Sequence, residues 1–364
     1  MDKFNKIVVI GAGTMGSGIA AHLANSNRQV VLLDLKGKDK PNQISENAID
    51  IIKKSDPPLL VERSRLKHIK PGNLEDDFDE IKDADWVIEA VVERIDIKHK
   101  LYSQIDKVRS PDSIISSNTS TIPLSILTQE MSDTMKADFC ITHFFNPVRF
   151  MRLLEIVETP TMNKDKMSGL RDFCQNELGK GIVNCNDTPG FIGNRIGVYA
   201  MQVAMYEALE RGLPVEIADA LFGRPLGIPK TGVFGLYDLI GIDLMKDVLA
   251  SFKKELQEND PFMDVVAPHP LVEKLLEKGF NGNKGPGGFY QTTIVDDDEI
   301  VKAMNTSDMS YYDFDKVDLE IARRVEKEGI KALLDDDSEY GRYAFAVLAK
   351  IINYSAFCIP EVVE

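Results

Sequence analysis

Hydrophobic positions change their spacing twice along the chain. Near the start, Ile7-Val8-Val9-Ile10 and Val30-Val31-Leu32-Leu33 are unbroken apolar runs, the pattern of strands covered on both faces. Between them lie Gly11-Ala12-Gly13-Thr14-Met15-Gly16 and then residues 17–25, rich in Ala, Gly and Leu, which predict a tightly packed helix. Strand, glycine turn, helix and strand make a βαβ unit and imply a parallel sheet. Further strands are predicted at 86–91, 113–116, 139–142, 153–157 and 182–185, with a helix at 97–108. The period then becomes helical. Thr188-Pro189 is a good helix start, and most of the chain to Lys278 repeats at helical spacing.

Four segments follow from this pattern. Residues 1–187 read as α/β, a Rossmann-type doubly wound, mainly parallel sheet that binds a nucleotide. Residues 188–290 read as a mainly α-helical C-terminal domain. The acidic stretch 291–338, with Asp296-Asp297-Asp298-Glu299 and Asp335-Asp336-Asp337, reads as a poorly packed, solvated connector with some helix. Within 339–364, the apolar run 343–357 is helix-like and needs a surface to pack on. Either it docks back on this chain or it starts a second helical domain.

Composition narrows the partners. Lys and Arg total 43 against 58 Asp and Glu, for a net charge of -15, which argues against nucleic acid or an anionic membrane as the main partner. No apolar run approaches the roughly 20 residues that would insert into a bilayer. The four cysteines (Cys140, Cys174, Cys185, Cys358) are scattered without metal-ligand spacing, so no metal is expected and a reducing, cytoplasmic setting fits.

The candidate chemistry starts at the glycine turn. Following a buried strand and opening a helix, Gly11-x-Gly13-x-x-Gly16 suits a dinucleotide: Gly11 for the tight turn, Gly13 for approach of the pyrophosphate, Gly16 for helix–strand packing. The helix N-terminus then meets the phosphates with free N–H groups, so an acidic chain needs no basic cluster there. Asp34 ends the next strand, where a carboxylate accepts hydrogen bonds from the adenosine ribose and repels a 2′-phosphate. That favours NAD over NADP. His143 sits at a strand end, where ligands bind in such sheets. Glu155 is a lone carboxylate in the apolar run Leu153-Leu154-Glu155-Ile156-Val157, so it needs a donor, and an adjacent strand would put it beside His143.

Together with Ser117-Asn118-Thr119-Ser120, His143-Phe144-Phe145-Asn146-Pro147, Asp187-Thr188-Pro189-Gly190-Phe191-Ile192-Gly193-Asn194-Arg195 and Lys284-Gly285-Pro286-Gly287-Gly288-Phe289-Tyr290, these features closely resemble the L-3-hydroxyacyl-CoA dehydrogenases of fatty-acid β-oxidation, over about residues 5–290. The resemblance implies that His143 is the general base for the 3-hydroxyl, oriented by Glu155, while Ser120 and Asn194 hydrogen-bond the substrate's oxygens. It implies cofactor contacts from the whole turn (Gly11, Ala12, Gly13, Thr14, Met15, Gly16), Asp34, Asn118, Asn146 and Lys284, and from Glu93 and Lys98 near the nicotinamide ribose. Blander readings stand beside these: a helix cap for Ser120, a first-turn polar residue for Asn194, a surface salt bridge for Glu93, Lys98 and Lys284.

An acyl-CoA substrate and a homodimer through the helical domain are further implications. The basic stretch from Lys53-Lys54 to Arg63, Arg65, Lys67 and Lys70 is the expected dock for coenzyme A phosphates. Residues 227–234 depart from the pattern of simple two-domain members. They look more like the dehydrogenase part of multifunctional proteins fused to an enoyl-CoA hydratase, which makes this chain a fragment of a longer protein. Two other readings are a β-hydroxyacid dehydrogenase acting on a free acid and an inactive NAD-binding relative. The His143/Glu155 pair speaks against the first, and the retention of His143, Glu155 and Asn194 against the second.

Overall fold

The structure, a computed structural model, describes residues 4–363 apart from 227, 229–230, 296–297, 315–316 and 360, and the chain divides into two units, Met1–Gly193 with Pro360–Glu364, and Asn194–Ile359. In the first unit the chain runs β1 (Lys6–Ile10), α1 (Thr14–Asn25), β2 (Gln29–Asp34), α2 (Gln43–Lys54), β3 (Ile69–Asn73), β4 (Trp86–Glu89) and α3 (Ile95–Val108). It continues through β5 (Ile114–Ser117), α4 (Leu124–Leu127), α5 (Asp133–Lys136), β6 (Phe139–Phe144), β7 (Leu153–Glu158), α6 (Lys164–Asp172) and β8 (Gly181–Asn184). One eight-stranded sheet results, in the order β3-β2-β1-β4-β5-β6-β7-β8. All neighbours are parallel except β6 and β7.

The unbroken apolar runs have a direct cause. Successive side chains of a strand point to opposite faces, and both faces here are covered. Ile7 and Val9 pack in one core with Ile19 and Leu23 of α1, Ile49 and Ile52 of α2, and Leu170 of α6. Val8 and Ile10 pack in the other with Leu101 and Ile105 of α3 and Leu124 and Leu127 of α4. Every position of β1 from Ile7 to Ile10 is therefore fully buried. No helix among the described residues is long and apolar enough to cross a membrane.

The second unit holds the rest of α7 (Gly193–Glu210), then α8 (Val215–Leu221), α9 (Phe234–Ile240), α10 (Ile242–Glu255), α11 (Pro270–Glu277), β9 (Tyr290–Val295), β10 (Asp298–Met304), β11 (Tyr311–Asp313), α12 (Glu320–Glu328), α13 (Lys331–Leu334) and α14 (Glu339–Phe357). Two expectations change. First, α7 starts at Gly193 rather than Pro189, because Gly190 (φ +71°) and Phe191 (φ +47°) leave the helical region; the Thr188 hydroxyl is buried without a hydrogen-bond partner and caps nothing. Second, the stretch expected as a poorly packed connector contains an antiparallel three-stranded sheet, β11-β10-β9, that buries Ala303 and Met304, followed by α12 and α13. Its acidic composition concealed the alternation. Of the two alternatives for the tail, docking is what is seen: in α14, Tyr354 stacks on Tyr199 of α7 at 4.0 Å and accepts a hydrogen bond from Arg195 Nε at 2.9 Å. Tyr343 donates to the Ala204 carbonyl at 3.3 Å.

Burial of one histidine makes stability depend on acidity. His22 of α1 meets the Leu178 carbonyl through Nε2 at 3.0 Å, and its Nδ1 is buried without a partner. Burial first, and then the positive charge of Lys180, push its pKa down from 6.5 to about 4. Between those values the unfolded chain binds a proton that the folded chain refuses, so stability falls as pH drops through that window and is complete above it. Denaturant midpoints compared at pH 7 and pH 4.5 should show a loss of up to roughly 3 kcal/mol from this residue. His22→Gln should flatten that dependence, and an unchanged slope would assign it to other groups.

Candidate functional site

Strands β1, β4, β5 and β6 run parallel, so their C-terminal ends share one edge, and the chain reverses its direction of travel across the sheet between β1 and β4. Loops diverge at that point, leaving a crevice. Here the three glycines of the turn have different physical reasons. A Cβ on Gly11 (φ +103°) would lie 2.4 Å from the Ala90 carbonyl oxygen, and one on Gly16 would lie 1.7 Å from the Gly11 oxygen. At Gly13 a Cβ would meet nothing within 4 Å. Chain packing thus explains two glycines, and open space above the third leaves room for a group from outside. α1 begins beside that space without a side-chain cap, so its first N–H groups are available to an anion. Asp34 accepts from Ala12 N at 2.5 Å and Leu35 N at 2.6 Å, which fixes its carboxylate next to the turn. These residues fit a dinucleotide.

The two glycine roles can be separated. Gly13→Ala should leave the melting temperature unchanged and weaken NADH binding by about tenfold or more, through the lost approach to the backbone. Gly16→Ala should instead lower the melting temperature, since its Cβ has nowhere to go. Fluorescence titration of NADH with a parallel thermal melt reads both, and undiminished affinity in Gly13→Ala would remove the pyrophosphate from this turn.

Register builds the second half of the site. β7 turns back against β6 with His143 directly opposite Glu155, and opposed residues of an antiparallel pair face the same way. Nδ1 of His143 and Oε2 of Glu155 are 2.6 Å apart, in a nearly closed environment: His143 is 6% exposed and Glu155 0%. The other carboxylate oxygen accepts from Ile192 N at 2.9 Å and Gly193 N at 2.5 Å. With two backbone N–H groups on Oε1, the tautomer that donates from Nδ1–H to Oε2 leaves a lone pair on Nε2. Nε2 has no partner among the described residues. Phe145 and Phe191 pack on the ring, with centroids at 4.4 and 5.9 Å.

The segment 187–193 therefore has a local purpose. Gly190 and Phe191 turn the backbone so that the N–H groups of Ile192 and Gly193 reach Glu155. A side chain on Gly193 would strike the Phe145 ring at 2.5 Å. Asp187 anchors the segment by accepting from Leu124 N and Ser125 N, which makes it the cap of α4. Ser120 does not cap that helix.

Several expected residues lie along the same edge. Asn118 follows β5 and accepts from Phe144 N at 2.9 Å; Asn146 follows β6 and is exposed. Glu93 accepts from Ser120 N and the Thr119 hydroxyl, each at 3.0 Å. Lys98 is no surface ion pair: it is 1% exposed and donates to Glu89 at 2.6 Å. Sequence reasoning missed Glu89, although it carries the same signal as Glu155, a lone carboxylate in the apolar run Trp86-Val87-Ile88-Glu89-Ala90-Val91. Asn194 and Lys284 belong to the second unit. Asn194 lies in the first turn of α7, and Lys284 is exposed in the loop after α11, its ammonium over Gly241. In the expected coenzyme A dock, Lys53, Lys54, Arg63, Lys67 and Lys70 are exposed, and Lys53 pairs with Asp50.

A doubly wound, mainly parallel sheet with this glycine turn at its carboxyl edge has the build of a dinucleotide-binding domain. Comparison with known proteins narrows it. Residues 6–188 match the family model for the 3-hydroxyacyl-CoA dehydrogenase NAD-binding domain, and residues 190–292 match that for the 3-hydroxyacyl-CoA dehydrogenase C-terminal domain. A putative fatty acid oxidation complex trifunctional enzyme of Rickettsia felis is 40% identical, over 100% of this chain and 50% of its own length. A probable 3-hydroxyacyl-CoA dehydrogenase of Deinococcus radiodurans is 36% identical, over 80% of this chain and 84% of that protein. The crystal structure of 3-hydroxybutyryl-CoA dehydrogenase from Escherichia coli superposes with a TM-score of 0.66 at 30% identity, covering 79% of this chain and 59% of the other. The chain belongs to the 3-hydroxyacyl-CoA dehydrogenase family of NAD-dependent oxidoreductases. It spans about half the length of several curated relatives it matches.

Proposed function

We propose that the protein oxidises L-3-hydroxyacyl-CoA to 3-oxoacyl-CoA with NAD, as a step of fatty-acid β-oxidation. The observation that carries this reading is the His143–Glu155 pair, whose tautomer leaves Nε2 free to accept a proton. In this mechanism His143 takes the proton of the 3-hydroxyl at Nε2. Glu155 holds the ring and stabilises the imidazolium that forms, as a triad carboxylate does. Ser120 and Asn194 hydrogen-bond the substrate's oxygens with neutral groups that do not compete for the proton. The glycine turn and Asp34 bind the dinucleotide, Glu93, Lys98 and Asn146 serve its nicotinamide side, and Asn118 and Lys284 are further cofactor contacts. Bound NAD supplies the hydride acceptor.

Coenzyme A phosphates dock on the basic stretch between Lys53 and Lys70. An enoyl-CoA hydratase, fused or associated, is the proposed partner, and the name of the Rickettsia relative, a putative fatty acid oxidation complex trifunctional enzyme, agrees with a multifunctional setting. A homodimer through the helical domain completes the proposal, and four buried cysteines suit a reducing cytoplasm.

NADH oxidation should be followed with acetoacetyl-CoA, with free acetoacetate, and with NADPH in place of NADH. Turnover is expected only with the thioester and NADH. Equal use of the free acid would favour the β-hydroxyacid reading, and NADH binding without any turnover would favour the inactive relative.

A further inference from the structure

Glu89 ends β4 with no exposed surface, yet its carboxylate is the best-connected acid of the first unit. It accepts from Lys98 Nζ at 2.6 Å and Tyr102 OH at 2.5 Å, both on α3. It also accepts from Ser117 Oγ at 2.7 Å on β5 and from Val91 N at 2.8 Å. Lys98, equally buried, reaches on to Glu93 Oε2 at 3.3 Å. Glu93 is 38% exposed and in turn holds Thr119 and Ser120. A line of charges therefore runs from the interior to the rim: buried Glu89, buried Lys98, exposed Glu93.

An ammonium this deep is tolerated only while an anion compensates it. Glu93 alone is a poor candidate, since its carboxylate faces water and can rotate. With Glu89 in place, Lys98 is pinned from behind and pulls Glu93 into one orientation. The peptide after Glu89 also abuts the glycine turn, with the Ala90 oxygen against Gly11. One buried carboxylate thus sits behind both sides of the nucleotide edge.

We propose that Glu89 is a positioning residue for the cofactor: with Lys98 it forms a buried ion pair that orients Glu93, and through Glu93 the Ser120 segment. This rests on the NAD-binding part of the reading above and is independent of the acyl substrate.

The test uses the full chain and two readouts, melting temperature and NADH affinity by fluorescence titration. Glu89→Gln alone should melt lower, because it strands a buried ammonium; adding Lys98→Met should restore most of the melting temperature. In that restored double variant NADH should bind about tenfold more weakly, as expected for one lost polar contact to the cofactor. Adding Glu93→Gln to the double variant should weaken binding no further than Glu93→Gln does alone. Wild-type affinity in the refolded double variant would overturn the proposal and leave the pair a structural element. Should the double variant fail to fold, Ser117→Ala and Tyr102→Phe each remove one donor to Glu89 without burying a charge. Weaker NADH binding in those variants supports the proposal, and unchanged affinity overturns it. Absence of turnover with acetoacetyl-CoA would sink the substrate reading while leaving these affinities intact.

Discussion

His143→Ala is expected to lower kcat with acetoacetyl-CoA by at least ~10²-fold, the lower bound for a general base or acid in the reaction, while NADH affinity stays near that of the wild type. The separation follows from geometry. His143 touches Glu155, Phe145 and Phe191, whereas the glycine turn and Asp34 hold each other at 2.5 Å without it. Stopped-flow oxidation of NADH and a fluorescence titration on the same preparation read the two quantities. A loss confined to NADH affinity, with kcat retained, would move the proton acceptor elsewhere. A loss in both would mean that the ring supports the fold of the edge and does not serve only the chemistry.

Glu155→Gln should come next in size, with a fall in kcat of about 10²- to 10⁴-fold from the wrong tautomer or orientation of the imidazole. The carboxylate faces three donors, Nδ1–H of His143 and the N–H groups of Ile192 and Gly193. A glutamine has one acceptor oxygen and one donor nitrogen. If its oxygen faces the backbone pair, its NH₂ faces the imidazole, and the ring can meet it only by moving its hydrogen to Nε2, the atom needed as the base. If the oxygen faces the imidazole, the NH₂ opposes two N–H groups and the segment 187–193 is pushed away. Either arrangement impairs proton transfer. A thermal melt distinguishes this from general loosening: the melting temperature should fall far less than a loss of the segment's anchoring would require, while kcat falls. A near-normal kcat would show that Ile192 and Gly193 hold the segment without help from the carboxylate charge.

The readable parts of this protein were those whose signal is local. An apolar run, a Gly-x-Gly-x-x-Gly turn and a following Asp are short-range consequences of a strand covered on both faces and a helix opening towards a phosphate, so β1, α1 and β2 could be placed without any tertiary information. The lone carboxylate in Leu153-Leu154-Glu155-Ile156-Val157 was legible for a similar reason, since an uncompensated charge in an apolar strand demands a partner. The same argument applied to Glu89 would have found the second buried acid. It went unread because Glu93 and Lys98, four and nine residues further on, were read as cofactor contacts or a surface salt bridge, neither of which calls for a buried partner.

What failed was reading function from composition. Thr188-Pro189 has the chemistry of a helix start, but Gly190 and Phe191 are needed in left-handed conformations to carry two N–H groups to Glu155, and the helix waits until Gly193. The acidic segment after Tyr290 looked like solvated connector, yet β10 buries Ala303 and Met304 between its neighbours. At Thr188 the deciding partner, Glu155, lies far away in sequence; in the acidic segment β10 pairs with its sequence neighbours β9 and β11, and the charges hid that local pairing.

By itself, then, the order of apolar runs, glycines and isolated charges determined the parallel sheet, the nucleotide turn and the identity of the residues with chemistry to offer. Only the tertiary structure decided their pairing: that β7 returns antiparallel in the register that opposes Glu155 to His143, that Glu89 backs Lys98, and that α14 packs on α7. Local sequence sets backbone preference and burial, which are short-range properties. Hydrogen-bond register between strands depends on how intervening chain closes, and that is settled only when the whole sheet packs.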